Sequence, residues 1–220
     1  MGIRLKSPPE KTDLGGAAES AVRRRRTAHY VAKLTAVLST SSALFASKGY
    51  ERATIRDVAR ATGLSLAGLY YYFMGKEELL FLIQSRVFQS LCDNLREIIT
   101  TETDPRACLR RMIEMHFNYF ISHMDDLKVC SREIESLKGS LYQKVANQRK
   151  EYFELTQSIF ERISNRSGCS SADSRLAALY LFGTLNWIYQ WYRPGRDPDA
   201  GEMASQLSAI YLNGFPRMAE

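Results

Sequence analysis

The sequence predicts an all-α protein of two parts, a small basic three-helix head and a larger helical body, and three observations carry that expectation. Apolar residues recur at helical spacing along nearly the whole chain, without the alternating β-branched runs and hairpin turns of strands and without an internal repeat. The 220 residues exceed one small domain and fall short of two large ones, which fits a small module joined to a larger one with a substantial core. Charge divides in the same place: residues 1–76 hold 13 Lys/Arg against 5 Asp/Glu, and residues 77–220 hold 17 against 19. The excess positive charge thus sits in the first third, the footprint of a nucleic-acid-binding part beside a neutral one.

Composition narrows the classes further. Hydrophobic residues make up 45% of the chain, and no stretch approaches the roughly 18 uninterrupted apolar residues of a membrane span. The basic residues near the N-terminus precede no apolar block. Ser7, Pro8, Pro9, Gly15 and Gly16 suit a flexible basic tail over residues 1–26, not a signal peptide, so a cytoplasmic location is expected. Cys92, Cys108, Cys130 and Cys169 are widely spaced with no CxxC pair, so reduced thiols are expected, not a zinc site or a disulfide framework.

Residues 27–76 form the expected head. A first helix, about Thr27 to Lys48, puts Val31, Leu34, Leu38 and Phe45 on one stripe and stops at Gly49, a suitable C′ residue. Thr54 caps a second helix, and Asp57 three residues later completes a capping box; Ile55, Val58 and Ala59 face inward. Gly63 supplies the left-handed turn, and Ser65 caps a third helix running through Phe73. The small residues Ser65, Ala67 and Gly68 allow close approach to a major groove, and the helix N-terminus can meet phosphates. Tyr70, Tyr71 and Tyr72 offer phenols to phosphate or base edges, and Lys76 follows as a phosphate clamp. Arg23 to Arg26 is read either as an arm for the neighbouring minor groove or as a solvated cluster adding only nonspecific attraction.

Residues 77–220 form the expected body, with helices near 76–102, 107–124, 127–138, 141–164, 173–192 and 199–213. Breaks are expected at Asp104-Pro105, Lys138-Gly139, Gly168 and Arg193-Pro194-Gly195. This half carries no glycine-rich phosphate loop, HExxH, GxSxG or paired carboxylates, so no catalytic residue, cofactor or metal is assigned. His116 and His123 share a face with Leu109, Ile113 and Phe120 and read as core or pocket-lining residues in preference to metal ligands. Arg149 falls in register with the apolar stripe Val145, Tyr152, Ile159 and Ile163, and a charge there needs a partner: Glu133 or Glu135, or an anionic ligand.

The run Thr54 to Ser65, followed by Leu69-Tyr70-Tyr71-Tyr72-Phe73 and Lys76-Glu77-Glu78-Leu79-Leu80, resembles the helix-turn-helix signature of TetR-family regulators over about 50 residues. The resemblance implies that Thr54, Ser65, Ala67, Gly68, Tyr70, Tyr71, Tyr72 and Lys76 meet double-stranded, quasi-palindromic operator DNA, while Leu69 and Phe73 pack the module. Tyr72 departs from a common histidine, Leu66 from a polar or basic residue, and Gly75 from a capping serine, which puts the operator sequence in doubt. A scattered likeness in Arg132 to Leu137, Arg149 to Tyr152 and Leu181 to Pro194 is similar to TetR-family regulators of fatty-acid and sterol degradation, which respond to acyl-CoA thioesters. It implies a homodimer through the last two helices and an effector site drawing on Arg149, Phe117, Phe120, Tyr152, Asn186, Trp187, Trp191 and Arg193. A repressor of an efflux operon answering a hydrophobic drug, an enzyme acting on thioesters and an architectural DNA protein are the competing expectations.

Overall fold

The computed structural model describes residues 16–164 and 171–214, with side chains described over 27–164 and 173–213. The expected break at Gly168, Cys169 and the tail residues 1–15 lie outside the described residues. Ten α-helices run through the described part: α1 Gly16–Lys48, α2 Ile55–Thr62, α3 Leu66–Tyr70, α4 Lys76–Thr101, α5 Pro105–Ser122, α6 Met124–Arg132, α7 Gly139–Ser164, α8 Ser171–Asn186, α9 Ile188–Trp191 and α10 Ala200–Gly214. Among the described residues there is no strand, so the all-α expectation holds. No described helix is long and apolar enough to cross a membrane.

Several boundaries differ from the sequence reading for local reasons. Helix α1 begins at Gly16, so residues 16–26 extend it backwards and Arg23 to Arg26 belong to a helix, not a tail. Its buried stripe includes Leu34, Val37, Leu38 and Phe45, whereas Val31 is exposed. Pro105 does not merely break the chain: it opens α5 in the first turn, where its missing N–H is harmless, and Asp104 accepts from Arg106 N and Ala107 N. The expected helix at 127–138 splits into α6 and a single 3-10 turn, Ile134–Ser136. The expected helix at 173–192 divides near Trp187 into α8 and α9.

The body packs α4 against α7 and α5, α5 against α10, and α7 against α8, around fully buried Leu91, Leu95, Ile113, Val145, Ile159 and Phe160. Helix α1 leaves the head and lies against α6 and α4. Arg86 of α4 ties this junction: its guanidinium meets Asp126 of α6 at 2.9 Å and donates to Ser39 Oγ at 3.3 Å and Thr35 O at 3.4 Å on α1. Asp126 is nearly buried, so removing either partner would strand a desolvated charge.

Candidate DNA-binding head and effector site

The head is built from short-range bonds that the spacing dictates. Thr54 Oγ1 accepts from Asp57 N at 3.2 Å, and Asp57 Oδ2 accepts from Thr54 N at 2.9 Å, which completes the capping box. Lys48 of α1 reaches the same carboxylate at 2.6 Å, locking α2 to α1. These bonds, first from Lys48 and then from Thr54, hold the Asp57 carboxyl below the usual carboxylate range. Gly63 closes α2 at φ 69°, a conformation that costs a glycine little. Ser65 Oγ then accepts from Gly68 N at 3.0 Å, and a Cβ added at Gly68 would come within 3.3 Å of that oxygen, so a larger residue would press on the cap.

Leu69 and Phe73 are buried as expected, and Val58 joins them. Ser65, Leu66, Ala67, Tyr70 and Tyr71 are exposed together on and around α3, a surface of small residues followed by phenols. Helix α3 is shorter than expected, ending at Tyr70, so Tyr71 and Tyr72 stand in the turn that follows. Tyr30 of α1 braces that turn, its ring centroid 5.6 Å from Tyr71 and 5.2 Å from Tyr72. Sequence reasoning missed Tyr30, although one helical turn back from Leu34 along the stripe leads to it.

Lys76 is turned inward. Its ammonium donates to Tyr50 O at 3.0 Å, Ala53 O at 3.2 Å and Glu51 O at 3.3 Å, and lies over the Tyr50 ring at 4.2 Å. An ammonium has three N–H bonds, and three carbonyls take them, so the expected phosphate clamp is here a brace of the α1–α2 corner. The uncapped start of α4 at Gly75 matches the departure noted in the sequence; Glu78 reaches back to accept from Met74 N.

In the body, Arg149 Nη1 donates to Cys130 O at 2.9 Å, in the last turn of α6, and its guanidinium faces the Phe88 ring at 5.4 Å. Neither expected carboxylate partners it: Glu133 accepts from Ser136 Oγ at 2.9 Å and from Tyr50 N at 3.5 Å, in the head. Burial lowers the Arg149 pKa, and no carboxylate lies within ion-pair distance of it among the described residues. Phe117, Phe120 and Tyr152 are buried. Phe120 and Tyr152 meet through His116, whose Nδ1 lies 3.0 Å from Tyr152 Oη and whose ring contacts Phe120 and Phe182.

The remaining expected effector residues are not brought to this cluster. Trp187, Trp191 and Arg193 are exposed and Asn186 half-buried, because α8 stops at Asn186 and the short α9 redirects the chain. Trp187 stacks edge-on with Tyr189, and Arg193 donates to Tyr192 O. A cleft of about 290 Å³ opens elsewhere, between α4 and α5, lined by Asn94, Glu97, Arg111, Glu114 and Asn118 with Ile98 and Met115. Its polar wall does not suit an acyl chain. No three His, Cys, Asp or Glu side chains gather to hold a metal among the described residues.

Comparison with known proteins matches both parts of the chain. Residues 37–83 match the family described as bacterial regulatory proteins, tetR family, and residues 102–215 match the tetracyclin repressor-like C-terminal domain. The HTH-type transcriptional repressor KstR2 of Rhodococcus jostii (strain RHA1) is 28% identical over 190 residues, 82% of this chain and 90% of that protein. The TetR family transcriptional regulator PfmR of Thermus thermophilus superposes with a TM-score of 0.74 at 30% identity, over 81% of this chain and 97% of that one. The structure of AibR in complex with isovaleryl coenzyme A and operator DNA shares the fold, with a TM-score of 0.68 at 22% identity over 81% of this chain and 97% of that one.

Proposed function

The chain belongs to the TetR family of DNA-binding transcription regulators, not to an enzyme family, and from that premise we propose that it is a repressor released from its operator by an acyl-CoA thioester. Arg149 is the observation that carries the effector: a half-buried guanidinium in register with the apolar stripe of α7, held by a backbone carbonyl and the Phe88 ring with no carboxylate beside it. Such a group favours a ligand that brings negative charge together with apolar surface. AibR, with its isovaleryl coenzyme A, and KstR2, a repressor, support the same direction.

The head reads DNA through Ser65, Ala67, Gly68 and the tyrosines, with Thr54 capping α2 at its edge. The assembly is a homodimer. Helix α8 buries Ala177, Ala178, Leu181 and Leu185 within the chain while Leu176, Leu179 and Tyr180 form a second, exposed stripe at helical spacing, with exposed Trp187 just beyond its end. A second copy covering that stripe would set two recognition units about 34 Å apart, one helical turn of duplex. Ligand charge at Arg149 competes for the hydrogen bond that holds Cys130 O. The end of α6 then loosens beside Glu133, which reaches Tyr50 of the head, and the spacing of the two heads changes.

Titration of the protein–operator complex with acyl-CoAs of graded chain length, each beside its free acid, tests this reading. Some thioesters should release the DNA while the acids, lacking phosphates, act poorly; Arg149→Met should raise the releasing concentration about 10-fold or more and, because it also cuts the tie to Cys130 O, should weaken operator binding in the absence of ligand. Release by a neutral hydrophobic drug and by no thioester would assign the protein to efflux control instead.

A further inference from the structure

We infer that the effector's acyl portion carries a carbonyl oxygen beyond the thioester that accepts a hydrogen bond from the imidazole of His116, with the carboxamide of Gln84 as a second buried polar contact. The inference rests on the acyl-CoA reading and adds what the acyl group contains.

The observation is that three helices packed on one another each carry a polar side chain with buried atoms that have no partner. His116 is 1% exposed and Gln84 0% exposed, yet His116 Nε2 and both amide atoms of Gln84 have no hydrogen-bond partner among the described residues. Gln148 Oε1 on α7 is buried and unpaired as well. Helices α4, α5 and α7 carry these three residues and contact one another pairwise. Folded proteins leave few buried polar atoms unpaired, because each forfeits its hydrogen bonds to water without replacement. Methionine at 84 would fill similar volume without unpaired nitrogen or oxygen, whereas phenylalanine at 116 would remove Nε2 but take from the Tyr152 hydroxyl its partner. Of the other unpaired atoms, the Ser42 and Ser208 hydroxyls lie on α1 and α10, and Nε belongs to Arg86 of α4, whose two terminal nitrogens are already bonded to Thr35, Ser39 and Asp126.

The tautomer follows from counting. With its proton on Nδ1, the imidazole would leave both Nε2 and the Tyr152 hydroxyl hydrogen without partners; with its proton on Nε2, Tyr152 donates to Nδ1 and only one N–H is left over. His116 therefore presents a donor. Burial among Phe120, Tyr152 and Phe182 pushes its pKa down to about 3, so the ring is neutral at ordinary pH. A neutral donor in an aromatic surround suits a ketone oxygen, not a carboxylate. Arg149 stands three residues before Tyr152 on α7, about 4.5 Å along the axis, so the charged and oxygenated ends of one ligand would meet separate heights of the same helix.

Calorimetric titration with decanoyl-CoA and with oxodecanoyl-CoAs bearing the ketone at successive carbons tests the inference. At least one isomer should bind about 10-fold more tightly than decanoyl-CoA. His116→Phe should abolish that preference while decanoyl-CoA affinity stays within about threefold, because only the added oxygen loses its donor. Gln84→Met should reduce the preference and raise Tm, since two unpaired atoms leave the core; this variant carries the test if His116→Phe does not fold. Equal or weaker binding of every oxo isomer, a preference surviving both substitutions, or a lower Tm in Gln84→Met would overturn the inference. If some acyl-CoAs bind without any preference for the ketone, the inference falls and the effector reading stands; if no thioester binds, both fall.

Discussion

The head and the body hold their polar groups by opposite means. In the head most partners are neighbours in sequence, Thr54 with Asp57, Ser65 with Gly68, Asp57 with Lys48 nine residues away, and Lys76 with the Tyr50 to Ala53 carbonyls is the long-range exception. In the body they come from distant turns: Arg149 with Cys130, His116 with Tyr152, Arg86 with Asp126, and Arg162 with the carbonyls of Glu102 and Thr103. The difference teaches that a DNA-reading head is specified by spacing and works as a unit of fixed shape. A sensor is specified by packing and can keep unpaired groups in reserve for a ligand. What each leaves uncovered differs too: small residues and phenols around α3, an aliphatic and aromatic stripe on α8.

The sharpest test of that second contrast is Leu179→Glu, which puts a charge into the exposed stripe of α8. If the stripe faces a second copy, sedimentation should show monomers at micromolar concentration and operator affinity should fall about 100-fold or more, because the two heads no longer bind as one ligand. An unchanged dimer would show that another surface joins the subunits.

Acid tests the reserve in the body. The folded-state pKa of His116 is depressed to about 3 from 6.5, so protonation favours the unfolded chain. Its contribution to stability is complete above about pH 6.5 and is lost as pH falls from there toward 3, at roughly 1.4 kcal/mol per pH unit. Denaturant titrations at pH 6.5 and 5.5 should show a fall of that order, and His116→Phe should make it shallower. Equal slopes in both proteins would mean that His116 takes up its proton in the folded state.

The smallest expected effect separates two roles for Lys76. As a brace of the Tyr50–Ala53 carbonyls, Lys76→Ala should lower the stability of the head by about 1 kcal/mol and leave the salt dependence of operator binding unchanged. A slope reduced by about one unit would restore the phosphate clamp that the sequence suggests.

These contrasts also explain what was legible beforehand. The all-α class, the order of the helices, the capping box, Gly63 and the Ser65 cap all follow from periodicity or from partners three residues apart, and each stands where the sequence puts it. The bracing contacts of Lys76 were not legible, because they go to carbonyls more than twenty residues away. That the residues from Asn186 to Arg193 stand away from the His116–Tyr152 cluster was not legible, because composition says which side chains are close in sequence, not which way α8 and α9 turn them. Glu133 and Glu135 were plausible partners for Arg149 by charge, yet the bond went to a backbone oxygen that no charge pattern displays. Arg149 itself was legible, since a cation in register with an apolar stripe is visible in the letters. The unpaired state of His116 and Gln84 was not, because it depends on three helices at once.

The bond from Arg149 to the carbonyl of Cys130 has an evolutionary side. Every residue offers the same main-chain oxygen, so position 130 can exchange its side chain without changing the acceptor, and α6 is free to drift there. The donor has no such freedom, because lysine presents a point charge in place of a planar fork and methionine presents nothing. A tie that joins two helices is therefore inherited through one codon, and a single substitution at 149 would cut it while every residue of the head is copied unaltered.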